Sequence, residues 1–267
     1  MTRRYRIEHR TVYTFSTPQA RLVQMLRLTP QNTHDQTVAR WRIDVDRDAR
    51  MRGGCDGWGN RITMLYVDGP LDGIEIAVTG EVLTSHSDGV LHGTAEPLPP
   101  AVFLRDTPAT PPDPVIGAWA RALADGTDPL AALSRINAAL HERFRLDRGR
   151  AEPGLSAADA WERQSATPRD VAQIFTVAAR SIGAPARYVS GYSLLAGDHR
   201  PGPHGWAEAY VEGIGWVGFD PCTGTSPEEQ HVRVATALDA AGCAAVAGSR
   251  LGEGRERLEV DVSVTPA

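Results

Sequence analysis

Two residues that could support nucleophilic catalysis, His204 and Asp220, lie in neighbouring segments of predicted β-structure. The segments HGWAEAY and GWVGFDP are separated by four residues, 211–214, that are typical of a hairpin turn. Antiparallel pairing would bring His204, at the start of the first strand, close to Asp220, at the end of the second. A carboxylate on one imidazole nitrogen leaves the other nitrogen free to act as a base toward a thiol or hydroxyl. A purely structural hydrogen bond between the two side chains is the simpler interpretation of this pattern.

Other sites are disfavoured by the residues present. All 28 basic residues are arginine, which excludes Schiff-base lysine and P-loop chemistry, and GxGxxG and GxSxG motifs are absent. His141 begins a zinc-helix pattern, but Arg145 stands where a second histidine would be. Asp198, His199 and His204 could together hold a metal, although their loop spacing is not diagnostic and ordinary surface histidines are the simpler interpretation. We therefore expect neither a metal nor a cofactor.

The composition is that of an ordinary globular protein. The chain has 267 residues, of which 42% are hydrophobic and 23% are charged, with a formal net charge of −5. This balance does not favour a nucleic-acid partner. The three cysteines, Cys55, Cys222 and Cys243, form neither a disulfide framework nor a CxxC metal motif. The sequence has neither a signal peptide nor a membrane-length apolar run, so we expect a cytoplasmic protein that does not contact membranes.

The first third of the chain alternates apolar and polar residues with the period of antiparallel strands. The apolar positions of these runs are Ala39, Trp41, Ile43 and Val45, then Ile62, Met64 and Tyr66, then Ile74, Ile76 and Val78. A glycine-containing hairpin turn, Asp56-Gly57-Trp58-Gly59-Asn60, separates two of them. We predict an N-terminal β-rich domain over residues 1–94. Seven prolines in residues 95–114 then predict an extended linker.

Helical periodicity follows the linker. Asp128 and Pro129 are suited to begin one helix, whose predicted buried face is Leu130, Leu133, Asn137, Leu140 and Phe144. Thr167 can cap a second helix that has Pro168 at its first position and Asp170 placed for a capping box. Strand-like runs come after this helix. Residues 115–267 are therefore predicted to form an α+β domain, with the second helix packed on an antiparallel sheet and a strand at the C-terminal end.

Two stretches resemble a known family. The text PRDVAQIFTVAARSIGAPARYVSGY, followed by HGWAEAYVEGIGWVGFDP, is similar to the core of bacterial transglutaminase-like proteins, which are relatives of the papain-like cysteine hydrolases. The resemblance is specific over residues 156–223. It extends less specifically to DGWGNRI in the N-terminal half and to His231–Val234 and Leu258–Val264 near the C-terminus.

The resemblance implies a Cys-His-Asp triad with one member missing. His204 matches the family's histidine, Asp220 matches its aspartate, and Asp170 matches the acidic residue that follows the nucleophile by two positions. The nucleophilic cysteine position then falls on Pro168. The first turn of a helix lowers a thiol's pKa and stabilises an oxyanion, yet proline is tolerated there because no N–H partner is required.

Three functions remain open from the sequence. The first is a pseudoenzyme whose remnant cleft binds a peptide, protein or acyl partner, or serves assembly. The second is an acyltransferase or amide hydrolase that uses His204 and Asp220 with a displaced nucleophile. Cys222 is the best candidate, because residues two apart in extended chain lie on the same side, about 7 Å from each other. Thr167 and Ser165 are less favourable candidates. The third is a structural protein whose N-terminal half carries an interaction. The sequence does not define the oligomeric state.

Overall fold

The structure, a computed structural model, describes residues 2–147, 149, 151–194 and 202–267. Within those ranges, two antiparallel sheets lie side by side and one of them is covered by helices, so the predicted α+β class is confirmed. None of the helices in these ranges is long and apolar enough to span a bilayer.

The strands are β1 (Arg3–Leu26), β2 (Gln36–Val45), β3 (Arg50–Cys55), β4 (Arg61–Thr84), β5 (Arg145–Leu146), β6 (Ser165–Ala166), β7 (Ala186–Ser193), β8 (Gly202–Val211), β9 (Gly215–Phe219), β10 (His231–Ala237), β11 (Val246–Leu251) and β12 (Glu256–Pro266). The helices are α1 (Pro114–Ala124), α2 (Pro129–Arg143), α3 (Ala157–Trp161) and α4 (Pro168–Ser181), and a 3-10 helix spans Pro100–Leu104.

The N-terminal sheet is built on two long strands, β1 and β4, which pair with each other along most of their length. β2 and β3 flank opposite halves of β4, while β11 and β12 flank opposite halves of β1. The two C-terminal strands therefore belong to the sheet that β1 begins. The predicted turn between β3 and β4 is confirmed: the Asp56 carboxylate accepts hydrogen bonds from the backbone N–H groups of Trp58 and Asn60, at 3.0 Å each, and Gly59 has a φ of 88°.

The proline-rich segment is more ordered than its composition predicts. The extended linker expected over residues 95–114 is wrong at Pro100–Leu104, which forms the 3-10 helix and buries Phe103 in an aromatic cluster. α1, which the periodicity did not predict, begins at Pro114 and is capped by the side chain of Asp113. Proline ends regular structure only in the interior of an element, because at the first helical position its fixed φ is already helical.

α4 is the central element of the C-terminal unit. Its predicted start is confirmed, with Thr167 as N-cap, Pro168 in the first turn and a complete capping box with Asp170. The predicted stop at Gly183, which has a φ of 85°, is also observed. One side of α4 packs on β7 and β8, and the other side contacts α1, α2 and α3. The sheet beneath it has the strand order β10-β7-β8-β9.

Two amide side chains join the two sheets at β10. Gln36 donates to the carbonyl of Arg233 at 2.9 Å and accepts from its N–H at 2.8 Å. Asn60 does the same for Thr236, at 2.8 Å in both directions. These amides satisfy backbone groups of an edge strand that would otherwise be left unpaired in the joint. They hold the N-terminal sheet against the C-terminal one, and a cavity lies between the two sheets.

Candidate functional site

The candidate site is centred on the buried carboxylate of Asp220, which follows β9 directly. Its Oδ2 atom lies 2.7 Å from Nε2 of His204 and 3.0 Å from Nε2 of His231, and its Oδ1 atom accepts from the Cys222 N–H at 2.9 Å. The predicted hydrogen bond between His204 and Asp220 is therefore confirmed. The Glu228 N–H donates to Nδ1 of His231 at 3.1 Å, so the Nε2 atom of His231 must carry the proton that it donates to Asp220.

These contacts keep Asp220 ionised. Burial alone would raise the pKa of this carboxyl, but the attraction and hydrogen bonds of His204 and His231 outweigh it and lower the pKa well below the usual range. The carboxylate fixes the His204 tautomer with its proton on Nε2. The nitrogen of His204 that remains free to accept a proton is Nδ1, the arrangement that a general base requires.

His231 is the functional neighbour that the sequence reasoning missed. The stretch from His231 to Val234 resembles the family, but the residues alone did not assign it a role. Its contact with Asp220 depends on β10 lying at the far edge of the sheet, two strands away from β8. A second histidine, eleven residues downstream of Asp220, was the signal available in the sequence.

His204, Asp220 and His231 could in principle form a metal site, because their ligand atoms all lie within 4.8 Å of one another. The nitrogen–oxygen distances of 2.7 and 3.0 Å are shorter than the separation of about 3.3 Å that two ligands have on a tetrahedral zinc with bonds of ~2.0 Å. The spacing instead fits two hydrogen bonds to one oxygen atom. We therefore interpret the cluster as a hydrogen-bonded group.

A cavity of about 680 Å³ lies beside His204. The start of α4 contributes Pro168 and Arg169 to its wall, and β8 contributes His204. His9, in β1, and Arg27, directly after β1, also line it. The structure thus brings Pro168 and His204 to one cavity at a helix N-terminus. That Pro168 occupies the family's nucleophile position stays a prediction.

The three alternative nucleophiles occupy different surroundings. Cys222 is buried in the hydrophobic core under α4, and burial together with the charge of Asp220 raises the pKa of its thiol well above the ordinary value. Thr167 lines the cavity, but its hydroxyl donates to Asp170 Oδ2 at 2.7 Å within the capping box. Ser165 is half-buried in β6 and, like Cys222, is not among the described residues that line the cavity.

Cys243 also lines the cavity, which the sequence did not predict. Its thiol is buried and lies 3.6 Å from the carbonyl oxygen of Tyr188, and burial raises its pKa far above the ordinary value. His141 is exposed on α2. Asp198 and His199 lie outside the described residues.

Comparison with known proteins agrees with the fold. Residues 5–83 match the bacterial transglutaminase-like N-terminal region, and residues 117–221 match the transglutaminase-like superfamily. The uncharacterized protein ML0607 of Mycobacterium leprae (strain TN) is 26% identical over 284 aligned positions that cover 98% of each chain. A candidate cysteine protease of Cytophaga hutchinsonii superposes with a TM-score of 0.79 at 18% identity, covering 100% of this chain and 91% of the other. The chain therefore belongs to the transglutaminase-like superfamily and carries the N-terminal region of its bacterial members.

Proposed function

We propose that this chain is a transglutaminase-like protein without thiol catalysis, whose cavity beside His204 binds a peptide or acyl group. The observation that carries the proposal is the residue at the start of α4. Pro168 lines the cavity together with His204 but has no side-chain atom that could attack a carbonyl. A base without a nucleophile supports binding rather than acyl transfer.

The cavity has the properties of a ligand site. Its volume of about 680 Å³ falls within the range of about 300–1,000 Å³ that is typical of small-molecule pockets. His204 is held in one tautomer by Asp220, so its free nitrogen is a hydrogen-bond acceptor for an amide N–H. A bound acyl or peptide group would find this acceptor without any rearrangement of the buried Asp220 cluster.

The alternative is an acyltransferase or amide hydrolase with a displaced nucleophile. Cys222 is close to Asp220 in the chain, but a negative charge beside a buried thiol opposes formation of the thiolate that attacks. The hydroxyl of Thr167 is engaged with Asp170. These environments favour the binding proposal over the catalytic one.

The proposal is tested by two measurements on the purified protein. Peptidase, amidase and transglutaminase assays should show no turnover that alkylation with iodoacetamide abolishes. Titration with the neutral peptide acetyl-Ala-Gln-Ala-amide should shift the NMR signals of the His204 ring and of the Gly205 amide. A robust turnover that is lost both on alkylation and in Cys222→Ala would establish the displaced nucleophile instead.

A further inference from the structure

Arg27 connects the DGWGN turn to the cavity. Its Nε donates to the Asp56 carboxylate at 2.9 Å, and its side chain is only 12% exposed. Among the described residues, its two terminal nitrogens have no hydrogen-bond partner. Because Arg27 lines the cavity, the N–H groups on these nitrogens are available to a molecule bound there.

Asp56 fixes Arg27 but has little capacity left for other donors. Its Oδ1 accepts from the backbone of Trp58 and Asn60, and its Oδ2 accepts from the Asn60 side chain at 3.0 Å as well as from Arg27. The Asn60 side chain is in turn bonded to Thr236 in β10. The turn therefore holds a guanidinium in place at the joint between the sheets, and the described residues use only one of its three nitrogens.

Two arginines, Arg27 and Arg169, line the cavity. Among the described residues, its wall contains no aspartate or glutamate side chain. Arg169 lies next to Pro168, and its Nε and Nη2 bond Asp170 at 2.9 and 2.7 Å. Arg27, directly after β1, and Arg169, in α4, thus line the same cavity. An anionic group between them would meet the N–H donors that the described residues leave unused on Arg27 and the N-terminal end of α4.

We propose that Arg27 is a specificity-determining residue that selects ligands bearing a carboxylate, either an acidic side chain or a peptide C-terminus. The proposal rests on the function proposed above and adds the chemical class of the ligand to it. A guanidinium fork matches a carboxylate geometrically and gains little from a neutral amide.

The test compares matched peptides. Acetyl-Ala-Glu-Ala-amide is titrated against acetyl-Ala-Gln-Ala-amide, and acetyl-Ala-Ala-Ala with a free C-terminus against its amide, with the Gly205 amide shift as readout. We expect at least one carboxylate peptide to bind about tenfold more tightly than its neutral partner, as a charge-assisted hydrogen bond predicts. The pair that shows the preference identifies the source of the carboxylate.

The variants assign the preference to Arg27. Arg27→Gln should abolish it and Arg27→Lys should retain part of it. Arg21→Gln should leave it intact. Arg21 lies in β1, six residues before Arg27, and pairs with Asp68 at 2.7 Å, but it is 61% exposed and is not among the described residues that line the cavity.

Equal binding of charged and neutral peptides by the wild-type protein would overturn the role of Arg27 while leaving the peptide-binding function standing. This outcome is measured on the wild-type protein, so it does not depend on whether a variant folds. A preference that survives in Arg27→Gln would have the same meaning. If none of the peptides shifts the Gly205 signal, both proposals are wrong.

Discussion

Replacing Pro168 with cysteine would place a thiol at the start of α4, on the cavity that His204 lines. Pro168 is half-buried, so a reagent can reach this position. The exchange removes a restraint on φ and adds an N–H in the first turn, where no intrahelical partner is needed. We therefore expect the free energy of unfolding to change by about 1 kcal/mol or less.

The magnitude of the reactivity gain follows from the thiolate fraction. A free cysteine has a pKa of about 8.5, and a thiol at a helix N-terminus beside an imidazolium should fall to about 6.5. At pH 5.5 this raises the thiolate fraction about 90-fold, but the weaker intrinsic nucleophilicity of the low-pKa thiolate removes a factor of about 8. The introduced thiol should therefore be alkylated about ten times faster than a free cysteine at pH 5.5, and at nearly the same rate at pH 7.5.

The assay is iodoacetamide alkylation followed by mass spectrometry in a Cys55→Ser background. Cys55 is the exposed native thiol, whereas Cys222 and Cys243 are buried and their pKa values are raised, so they should react slowly. His204→Ala should slow the alkylation of the introduced thiol at pH 5.5, because it removes the imidazolium. The reasoning is refuted if a well-folded Pro168→Cys protein reacts no faster at pH 5.5 than Cys55 does in the wild-type chain, with or without His204.

Two further predictions concern buried histidines. His231→Leu removes a donor to the buried Asp220 carboxylate and should lower the free energy of unfolding, measured by urea titration, by about 2 kcal/mol. His231→Gln keeps a donor and should lose less. Equal losses in the two variants would contradict the hydrogen-bond argument. Burial lowers the pKa of His9 to about 4 from an unfolded value of 6.5. The unfolded chain therefore binds the proton first as the pH falls, and stability is lost between pH 6.5 and 4. In His9→Asn the drop between pH 7 and pH 4 should be smaller by about 3 kcal/mol, and an unchanged drop would mean that His9 is not buried as a neutral ring.

The parts of the site that could be predicted from the sequence are those determined by local chemistry. The Thr167-Pro168 start of α4 is readable because the cap, the proline and Asp170 act within four residues. The contact of His204 with Asp220 is readable because a short hairpin joins their strands, so one turn determines the pairing. In both cases the interacting groups are close in the chain.

The remaining parts depend on contacts between distant segments. His231 reaches Asp220 only because β10 pairs with β7, on the far side of β8. Arg27 and Cys243 meet at the cavity although more than two hundred positions separate them in the chain. The 3-10 helix at Pro100–Leu104 forms because Phe103 packs against Trp58 and Trp216, and composition alone shows neither contact.

The contact between His204 and Asp220 has a structural role that requires no turnover. Asp220 is fully buried and is held by His204, His231 and the backbone of Cys222, so it links the ends of β8, β9 and β10. Removing one hydrogen-bond donor of this buried carboxylate costs about 2 kcal/mol, a sizeable share of a typical domain's stability of about 5–15 kcal/mol. Proline in the first turn of α4 carries no comparable penalty. The loss of a nucleophile at the start of α4, which we propose, would therefore cost the fold little, while His204 and Asp220 would remain necessary to it. On that proposal, the function of this protein lies in what its cavity binds.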